Sequence, residues 1–285
     1  MKILITGAAG MLGTDLRKAL EPEHELVLTD IHGDVKSLDI TDTEQALAEI
    51  NEAQPDLVIH CAAYTDVDGC ERDPGMAYRV NALGTWNVAA ACMVCDAVML
   101  YISTDFVFDG EKSEPYTEYD ATHPLGHYGA SKLAGESHVR ALCPSHYIVR
   151  TAWLYGEHGK NFPLTILNAA KSHKELKVVA DQVGSPTFTA DLAAAIRDLI
   201  KSPLYGTYHI TNRGSCSWHE FAKKALEYVG IEDVTVQPIK AEEWPTPTRR
   251  PTYSVLRNYA LELQGKDNMR PWDEALKDFI SRLNL

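Results

Sequence analysis

Tyr128 and Lys132 have the residue types and the spacing of a proton-transfer pair. On a helix, residues four positions apart share a face, so this spacing places the ammonium of Lys132 near the phenol of Tyr128. A nearby cation stabilises the phenolate and is expected to lower the phenol pKa from about 10 toward neutrality. Such a phenol serves as a general acid or base. Alone, the pair fits the surface of an amphipathic helix equally well.

A glycine-rich segment near the start of the chain predicts a dinucleotide site. Gly7, Gly10 and Gly13 follow the apolar run 3–5 and precede apolar residues at helical spacing. Glycines permit a tight turn, let the backbone approach a pyrophosphate, and open a helix whose free N–H groups bind the anion. A second predicted strand ends at Asp30, whose carboxylate can bind a ribose hydroxyl. An ordinary glycine-rich turn is the alternative, and it leaves this order of elements unexplained.

Alternating strands and helices must position these residues, and they predict an α/β fold with a doubly wound parallel sheet of the Rossmann type. Predicted strands over 57–60 and 98–102 end at the sheet edge where such folds bind ligands. Thr104 and Tyr128 are therefore expected at the same edge. Residues 1–150 are predicted to form the NAD(P)-binding domain. Residues 151–285 are predicted to form mainly a smaller substrate-binding lobe, with some segments returning to the first domain.

Two helices are predicted from their own signals. Thr41 and Glu44 have the spacing of a capping box that opens a helix with an apolar face. A later helix is predicted from about Pro74 through Asn81 toward Cys95.

Several motifs resemble a known family over nearly the whole chain. The spacing of Gly7, Gly10 and Gly13, together with Tyr128 and Lys132, is similar to that of the extended short-chain dehydrogenase/reductases. Within that superfamily, four further segments resemble the dTDP-4-dehydrorhamnose reductases: Ser103-Thr-Asp-Phe-Val-Phe108, Arg150-Thr-Ala-Trp-Leu-Tyr155, Asp181-Gln-Val-Gly-Ser-Pro186 and Arg250-Pro251.

The resemblance implies a reaction. It implies hydride transfer from NADPH or NADH to the C4 keto group of dTDP-4-dehydro-L-rhamnose, which gives dTDP-L-rhamnose in the last step of its synthesis for surface polysaccharide. Tyr128 would protonate the carbonyl oxygen and Thr104 would hydrogen-bond the same oxygen. Lys132 would bind the nicotinamide ribose and lower the Tyr128 pKa.

The resemblance and the glycine motif also assign binding residues. Trp153 would line the sugar pocket, with a buried core aromatic as the alternative. Arg250 would lie near the substrate diphosphate, which a guanidinium binds bidentately, with a solvated basic pair beside Arg249 as the alternative. The cofactor-binding set is Gly7, Gly10, Met11, Leu12, Gly13, Asp30, Asp39, Ile40, Ala62, Ala63, Tyr64, Tyr128 and Lys132. The substrate-binding set is Val67, Thr104, Asp105, Trp153 and Arg250.

Three other functions compete with reduction. Dehydratases of the superfamily have a glutamate where this chain has Phe106, so elimination would lack its base. Epimerases also use a Tyr and Lys pair and stay open, although Thr104 to Phe108 match the reductase strand more closely. A non-catalytic nucleotide-binding regulatory subunit, as in the beta subunit of methionine adenosyltransferase, could keep the glycine loop without turnover.

The choice between the two cofactors is left open. Asp30 favours NADH because a carboxylate binds the 2′-hydroxyl and repels a 2′-phosphate. His32 and Lys36 lie close by in the sequence and could relieve that repulsion.

Composition limits the partners. The net charge of −13 argues against nucleic acid or an anionic membrane as a partner, because both bind clustered Lys and Arg. The longest apolar stretch, 88–102, is too short to span a bilayer and is interrupted by Asp96. A cytoplasmic enzyme with a nucleotide-sugar substrate is expected, as a monomer or homodimer.

No metal or disulfide site is expected. Six cysteines are sparse in 285 residues, and Cys92 and Cys95 are interpreted as buried reduced thiols in an alanine-rich helix. Some members of the family form dimers around magnesium, and Asp15 matches one ligand position. The chain ends at Leu285 without an acidic tail, so a magnesium bridge is not expected.

Overall fold

One parallel sheet forms the centre of the protein, in a computed structural model that describes residues 1–283. In this range the strands are β1 (Lys2–Thr6), β2 (Glu25–Asp30), β3 (Lys36–Ser37), β4 (Leu57–His60), β5 (Val98–Thr104), β6 (His146–Thr151), β7 (Leu154–Tyr155), β8 (Glu175–Val179), β9 (Val183–Gly184), β10 (Thr187–Phe188), β11 (Gly206–His209), β12 (Cys216–Ser217) and β13 (Thr235–Ile239). The central sheet has seven strands in the order β3-β2-β1-β4-β5-β6-β11, and every neighbouring pair is parallel. This confirms the predicted α/β fold with a doubly wound parallel sheet.

The helices cover both faces of this sheet. They are α1 (Met11–Leu20), α2 (Thr43–Ala53), α3 (Val67–Arg72), α4 (Pro74–Tyr78), α5 (Thr85–Cys95), α6 (His127–Leu142), α7 (Phe162–Ala170), α8 (Thr189–Leu199), α9 (Trp218–Val229), α10 (Tyr259–Leu263) and α11 (Trp272–Arg282), with a π-helical turn at Arg79–Gly84 and 3₁₀ turns at Asp105–Val107 and Ala241–Glu243. Ile3 and Ile5 pack with α1 and α8, whereas Leu4 between them packs with α2 and α5. The alternation follows because successive side chains of a strand point to opposite faces.

The start of α2 differs from the predicted capping box. The cap is Asp42, whose carboxylate accepts a hydrogen bond from the Gln45 N–H at 3.0 Å. Thr41 lies outside the helix, and its N–H and hydroxyl both donate to Asp39 at 2.8 Å. The capping box was wrong because an aspartate one position later offers a charged acceptor to the free N–H groups of the helix.

The helix predicted from Pro74 toward Cys95 is one helical run that changes pitch in the middle. Between α4 and α5, residues Arg79–Gly84 form the π-helical turn. Such turns insert one extra residue and re-aim the side chains within them. Asn81, inside this turn, is buried against the functional site described below.

A second lobe follows the central sheet and has its own apolar core. Helices α7, α9 and α11 enclose it together with β8 and β13. The ring of Tyr155 lies 5.3 Å from that of Phe221 and 5.3 Å from that of Phe279.

Two segments beyond residue 150 lie against the central sheet and not in the second lobe. Helix α8 packs against α1 through Leu192 and Ile196, and β11 pairs with β6 at the sheet edge. The division at residue 150 stays a prediction.

Candidate active site

A cavity of about 680 Å³ lies at the carboxyl ends of β1, β2, β4, β5 and β6, between the sheet and the second lobe. The sequence-predicted residues that line it are Gly7, Gly10, Met11, Leu12, Gly13, Asp30, Asp39, Ile40, Ala62, Ala63, Val67, Thr104, Asp105, Tyr128, Lys132, Trp153 and Arg250. The structure therefore brings both predicted sets together in one cleft. Tyr64 is the exception: it is absent from the lining, while its neighbour Thr65 is present.

The glycine-rich loop has no room for side chains. Gly7 has a φ of +68°, and a Cβ there would lie 2.6 Å from the Ala62 backbone nitrogen. A Cβ on Gly13 would lie 2.7 Å from the Ala8 Cα. Helix α1 begins after Gly10 with no side-chain cap and no acidic residue in its first turn. The free N–H groups of this helix start suit a pyrophosphate, and the residues present fit a dinucleotide.

Asp30 is hydrogen-bonded to the glycine-rich loop. Its Oδ2 accepts a hydrogen bond from the Ala9 N–H at 3.0 Å, and its Oδ1 accepts one from the His32 N–H at 3.1 Å. Lys36 points to acidic partners on α2, Glu49 and Glu52. The sequence-based idea that Lys36 could relieve repulsion of a 2′-phosphate is therefore not supported by its contacts.

Tyr128 and Lys132 lie in α6 at the cavity, but their electrostatics differ from the prediction. Loss of water around the phenol raises the Tyr128 pKa, although a hydrogen bond with Thr104 acts in the opposite direction. Lys132 is 3% exposed, and its burial lowers its own pKa to about 7. Its Nζ lies 4.2 Å from the centre of the Tyr101 ring. The expected depression of the Tyr128 pKa was wrong for this arrangement, because loss of water raises the pKa of the phenol and the Lys132 ammonium lies over the Tyr101 ring.

Asn81 connects the cofactor side of the cavity to the catalytic helix. Its side-chain Oδ1 accepts from the Tyr64 N–H at 2.8 Å, and its Nδ2 donates to the Tyr64 carbonyl at 3.0 Å. The same Nδ2 donates to Ser131 Oγ at 3.1 Å, and that hydroxyl donates to the Tyr128 carbonyl at 2.9 Å. Tyr64 is thus held at the site through its backbone. Sequence reasoning missed Asn81 because its role depends on the π-helical turn.

A buried ion pair supports the base of the same helix. Glu136 is fully buried and accepts two hydrogen bonds at 2.8 Å from Arg150 and one at 2.6 Å from Ser103. Burial by itself would raise the Glu136 pKa, but the Arg150 and Ser103 hydrogen bonds and the positive charge of Arg140 leave it lowered. The pair links α6 to β5 and β6, the strands that carry Thr104 and Thr151.

Asp105 is a buried acid next to Thr104. The Thr104 hydroxyl donates to Asp105 Oδ1 at 3.0 Å, and Asp105 is 1% exposed. Burial raises the Asp105 pKa to about 6, with the hydrogen bond from Thr104 among the contacts that oppose the rise. Its Oδ2 is buried and has no hydrogen-bond partner within the described residues. Asp105 is therefore a buried acid in the wall of the cavity.

The remaining substrate-side residues lie where the second lobe meets the sheet. Arg250 pairs with Asp68 at 3.2 Å and lines the cavity, which distinguishes it from exposed Arg249. The Val67 carbonyl accepts from Thr248 at 3.0 Å. Trp153 lines the cavity and also contacts the core of the second lobe. Its predicted contact with the sugar stays a prediction.

A family profile described as RmlD substrate binding domain matches residues 1–285. The chain belongs to this family, that of the dTDP-4-dehydrorhamnose reductases. It is 50% identical to a dTDP-4-dehydrorhamnose reductase of Clostridium acetobutylicum, with a TM-score of 0.96 over 100% of both chains. A reductase of Bacillus anthracis solved with NADP is 44% identical, with a TM-score of 0.95 over 99% of both chains. The spore coat polysaccharide biosynthesis protein SpsK of Bacillus subtilis is 40% identical, over 98% of this chain and 96% of that protein.

The cavity lining of this reductase-family chain also includes residues that were not singled out from the sequence, among them Lys160 and Trp218. Lys160 lines the cleft and lies in the same loop as Gly156, which is close to Met11 at the start of α1. The sequence around a lysine in a polar loop does not show that it lines a cleft, because its place in the cleft depends on how the second lobe packs against the sheet.

Within residues 1–283, no three His, Cys, Asp or Glu side chains are grouped so that they could hold a metal ion. None of the helices in this range has the length and apolar character needed to cross a membrane. The six cysteines are unpaired, with Cys92 buried and Cys95 partly exposed. The prediction that no magnesium bridge forms depends on the chain end at Leu285, which lies outside the described residues.

Proposed function

We propose that this chain reduces the C4 keto group of dTDP-4-dehydro-L-rhamnose to an alcohol, which yields dTDP-L-rhamnose. The observation that carries the proposal is the placement of Tyr128, Lys132 and Thr104 in the cleft that is also lined by the glycine-rich loop. Full-length similarity to reductases of this substrate supports the same reaction.

The reduced nicotinamide cofactor supplies the hydride when it is bound. Tyr128 supplies the proton, and its raised pKa keeps the phenol protonated at neutral pH, which is the form that a reduction consumes. The Thr104 hydroxyl donates a hydrogen bond to the same carbonyl oxygen and orients the phenol. Lys132 lines the same cleft and offers donors to a ribose hydroxyl.

The residues proposed to bind the substrate line the side of the cleft away from the glycine-rich loop. Arg250 presents a guanidinium for a diphosphate, with Asp68 holding it in place. Asp105 provides a polar part of the cleft wall for the sugar, and Trp153 provides an apolar one. Val67 lies beside them at the start of α3.

The competing functions make different demands on the same residues. At the position of the dehydratase glutamate, the ring of Phe106 lies edge-on to Tyr128 with 5.5 Å between centres. An aromatic ring cannot remove the proton that elimination requires. Epimerisation and a regulatory role are distinguished from reduction by the experiment below.

We also propose a cytoplasmic monomer or homodimer that binds no nucleic acid. The net charge of −13 opposes binding to polyanions, and six free thiols suit a reducing compartment.

The decisive experiment follows oxidation of NADPH and of NADH by absorbance, with dTDP-4-dehydro-L-rhamnose generated in place. We expect wild-type turnover and a loss of at least about a hundredfold in kcat for Tyr128→Phe, while cofactor binding is retained. Tyr119→Phe is the matched control, because Tyr119 is 76% exposed and lies outside the cavity lining. Cofactor binding without any wild-type turnover would contradict the proposal and favour the regulatory subunit.

A further inference from the structure

Trp153 has a backbone conformation that needs an explanation. Its φ is +48°, in the left-handed region that bulky residues rarely adopt. Such a conformation is strained for a residue with a side chain and persists only where the surroundings enforce it. Trp153 follows β6 by two residues, and the residue paired with Thr104 across the sheet is Thr151. The strained residue therefore lies at the rim of the cleft, two residues beyond the strand partner of Thr104.

Three contacts hold Trp153 in this conformation. Its indole stacks on that of Trp218, with ring centres 3.4 Å apart and planes 7° from parallel. Gly184 passes so close to the indole edge that a Cβ there would lie 2.6 Å from Trp153 Nε1. The Trp153 carbonyl accepts a hydrogen bond from the Thr187 N–H at 3.3 Å. One indole face and one edge are therefore covered by the protein, and the ring cannot change rotamer without breaking the stack.

Trp218 is itself fixed from the side of the second lobe. It is the first residue of α9, whose capping box joins Ser217 and Glu220. Its ring centre lies 4.6 Å from that of Phe162 in α7. Yet Trp218 also lines the cleft that contains Tyr128. A rigid path of stacked rings thus runs from the lobe core through Trp218 to Trp153.

From these contacts we infer that Trp218 is a positioning residue of the reaction. It acts on the substrate through Trp153: the stack and the close approach of Gly184 present the Trp153 indole as a fixed apolar platform for the sugar. A deoxyhexose has an apolar ring face and a methyl group that can bury against an indole. The inference rests on the proposed function, because it assigns the platform to the sugar of that substrate.

The inference predicts that loss of the stack impairs catalysis with the nucleotide sugar and leaves cofactor binding unchanged. Trp218→Ala is expected to lower kcat/KM for the nucleotide sugar on the order of ten- to a hundredfold, because a platform that moves misplaces the carbonyl. The dissociation constant for NADPH should change by less than about twofold, since the glycine-rich loop is untouched. Trp218→Phe should recover part of the loss because a phenyl ring still stacks.

Two further variants separate positioning from folding. Gly184→Ala retains both indoles but forces the Trp153 ring away, so the same selective loss is expected. Trp272→Ala is the matched control: Trp272 packs on Phe221 at 5.8 Å in the lobe core and does not line the cleft. It should lower the melting temperature without changing KM for the sugar.

Circular dichroism tests the stack without turnover. Two indoles in near-parallel contact couple their electronic transitions, so wild type should show a paired band that Trp218→Phe loses and Trp272→Ala retains. The inference is overturned if wild type lacks the band, if Trp272→Ala lowers kcat/KM as much as Trp218→Ala, or if NADPH affinity falls together with kcat/KM. Absence of turnover in wild type would instead refute the proposed function.

Discussion

Replacing Lys132 with methionine should make the protein more stable while abolishing its activity. The Lys132 side chain is 3% exposed, and its Nζ lies over the ring of Tyr101 at 4.2 Å. Burial lowers its pKa from 10.5 to about 7, even though Cys61 and Glu136 act in the opposite direction. Folding therefore works against the charge that the reaction needs. Methionine has a similar volume and no charge, so it removes this cost and the catalytic cation together.

The magnitude and the pH dependence follow from proton linkage. Between pH 7 and 10.5 the unfolded chain keeps the Lys132 proton and the folded protein releases it. The free energy of unfolding therefore rises with pH across this window, by about 1.4 kcal/mol for each pH unit. Below pH 7 both states are protonated and the full cost is present, on the order of 3–5 kcal/mol. Lys132→Met should be more stable than wild type by that amount at pH 6, and the advantage should disappear near pH 10.

Urea unfolding of the cofactor-free protein at several pH values measures this directly. Lys223→Met is the matched control, because Lys223 is exposed on α9. It should leave both the stability and its pH dependence within about 0.5 kcal/mol of wild type. If Lys132→Met is no more stable than wild type at pH 6, or follows the same pH dependence, the Lys132 ammonium does not carry the burial cost described here.

Three further changes have defined outcomes. Glu136→Gln leaves the buried Arg150 charge without its partner and should lower the free energy of unfolding by about 3–5 kcal/mol in urea, whereas replacing both residues by apolar ones should recover most of that loss. Asn81→Ala leaves both backbone groups of Tyr64 without partners, so unfolding should cost about 1–3 kcal/mol less and NADPH should bind more weakly in a fluorescence titration. Lys160→Ala should weaken NADPH binding by about tenfold at low salt and much less at high salt, because Lys160 lines the cleft and its charge would attract the cofactor phosphates; an effect independent of salt would contradict this electrostatic role.

Local sequence patterns were sufficient for much of this protein. The consecutive apolar residues Ile3, Leu4 and Ile5 point alternately to the two faces of one sheet. A continuous apolar run of this kind predicts a buried parallel strand before any contact is known. Gly7 and Gly13 are glycines because backbone atoms occupy the space of a side chain. The four-residue spacing of Tyr128 and Lys132 places both on one side of α6.

The corrections arose where distant segments decide a local property. The Tyr128 pKa is raised because the folded protein removes water from around the phenol, and no spacing of residues in the sequence reports that loss. Lys36, a neighbour of Asp30 in sequence, turns to acids on α2 instead. The helix predicted through Asn81 was present, but its π-helical turn set the direction of that side chain.

The sequence by itself determined the sheet, the dinucleotide loop and the types of the catalytic groups, because each depends on residues close together in the chain. The tertiary structure alone decided the protonation of Tyr128 and Lys132 and the stack that holds Trp153. Desolvation and the stacking of Trp153 on Trp218 depend on segments that are far apart in sequence and become neighbours only when the second lobe packs against the sheet.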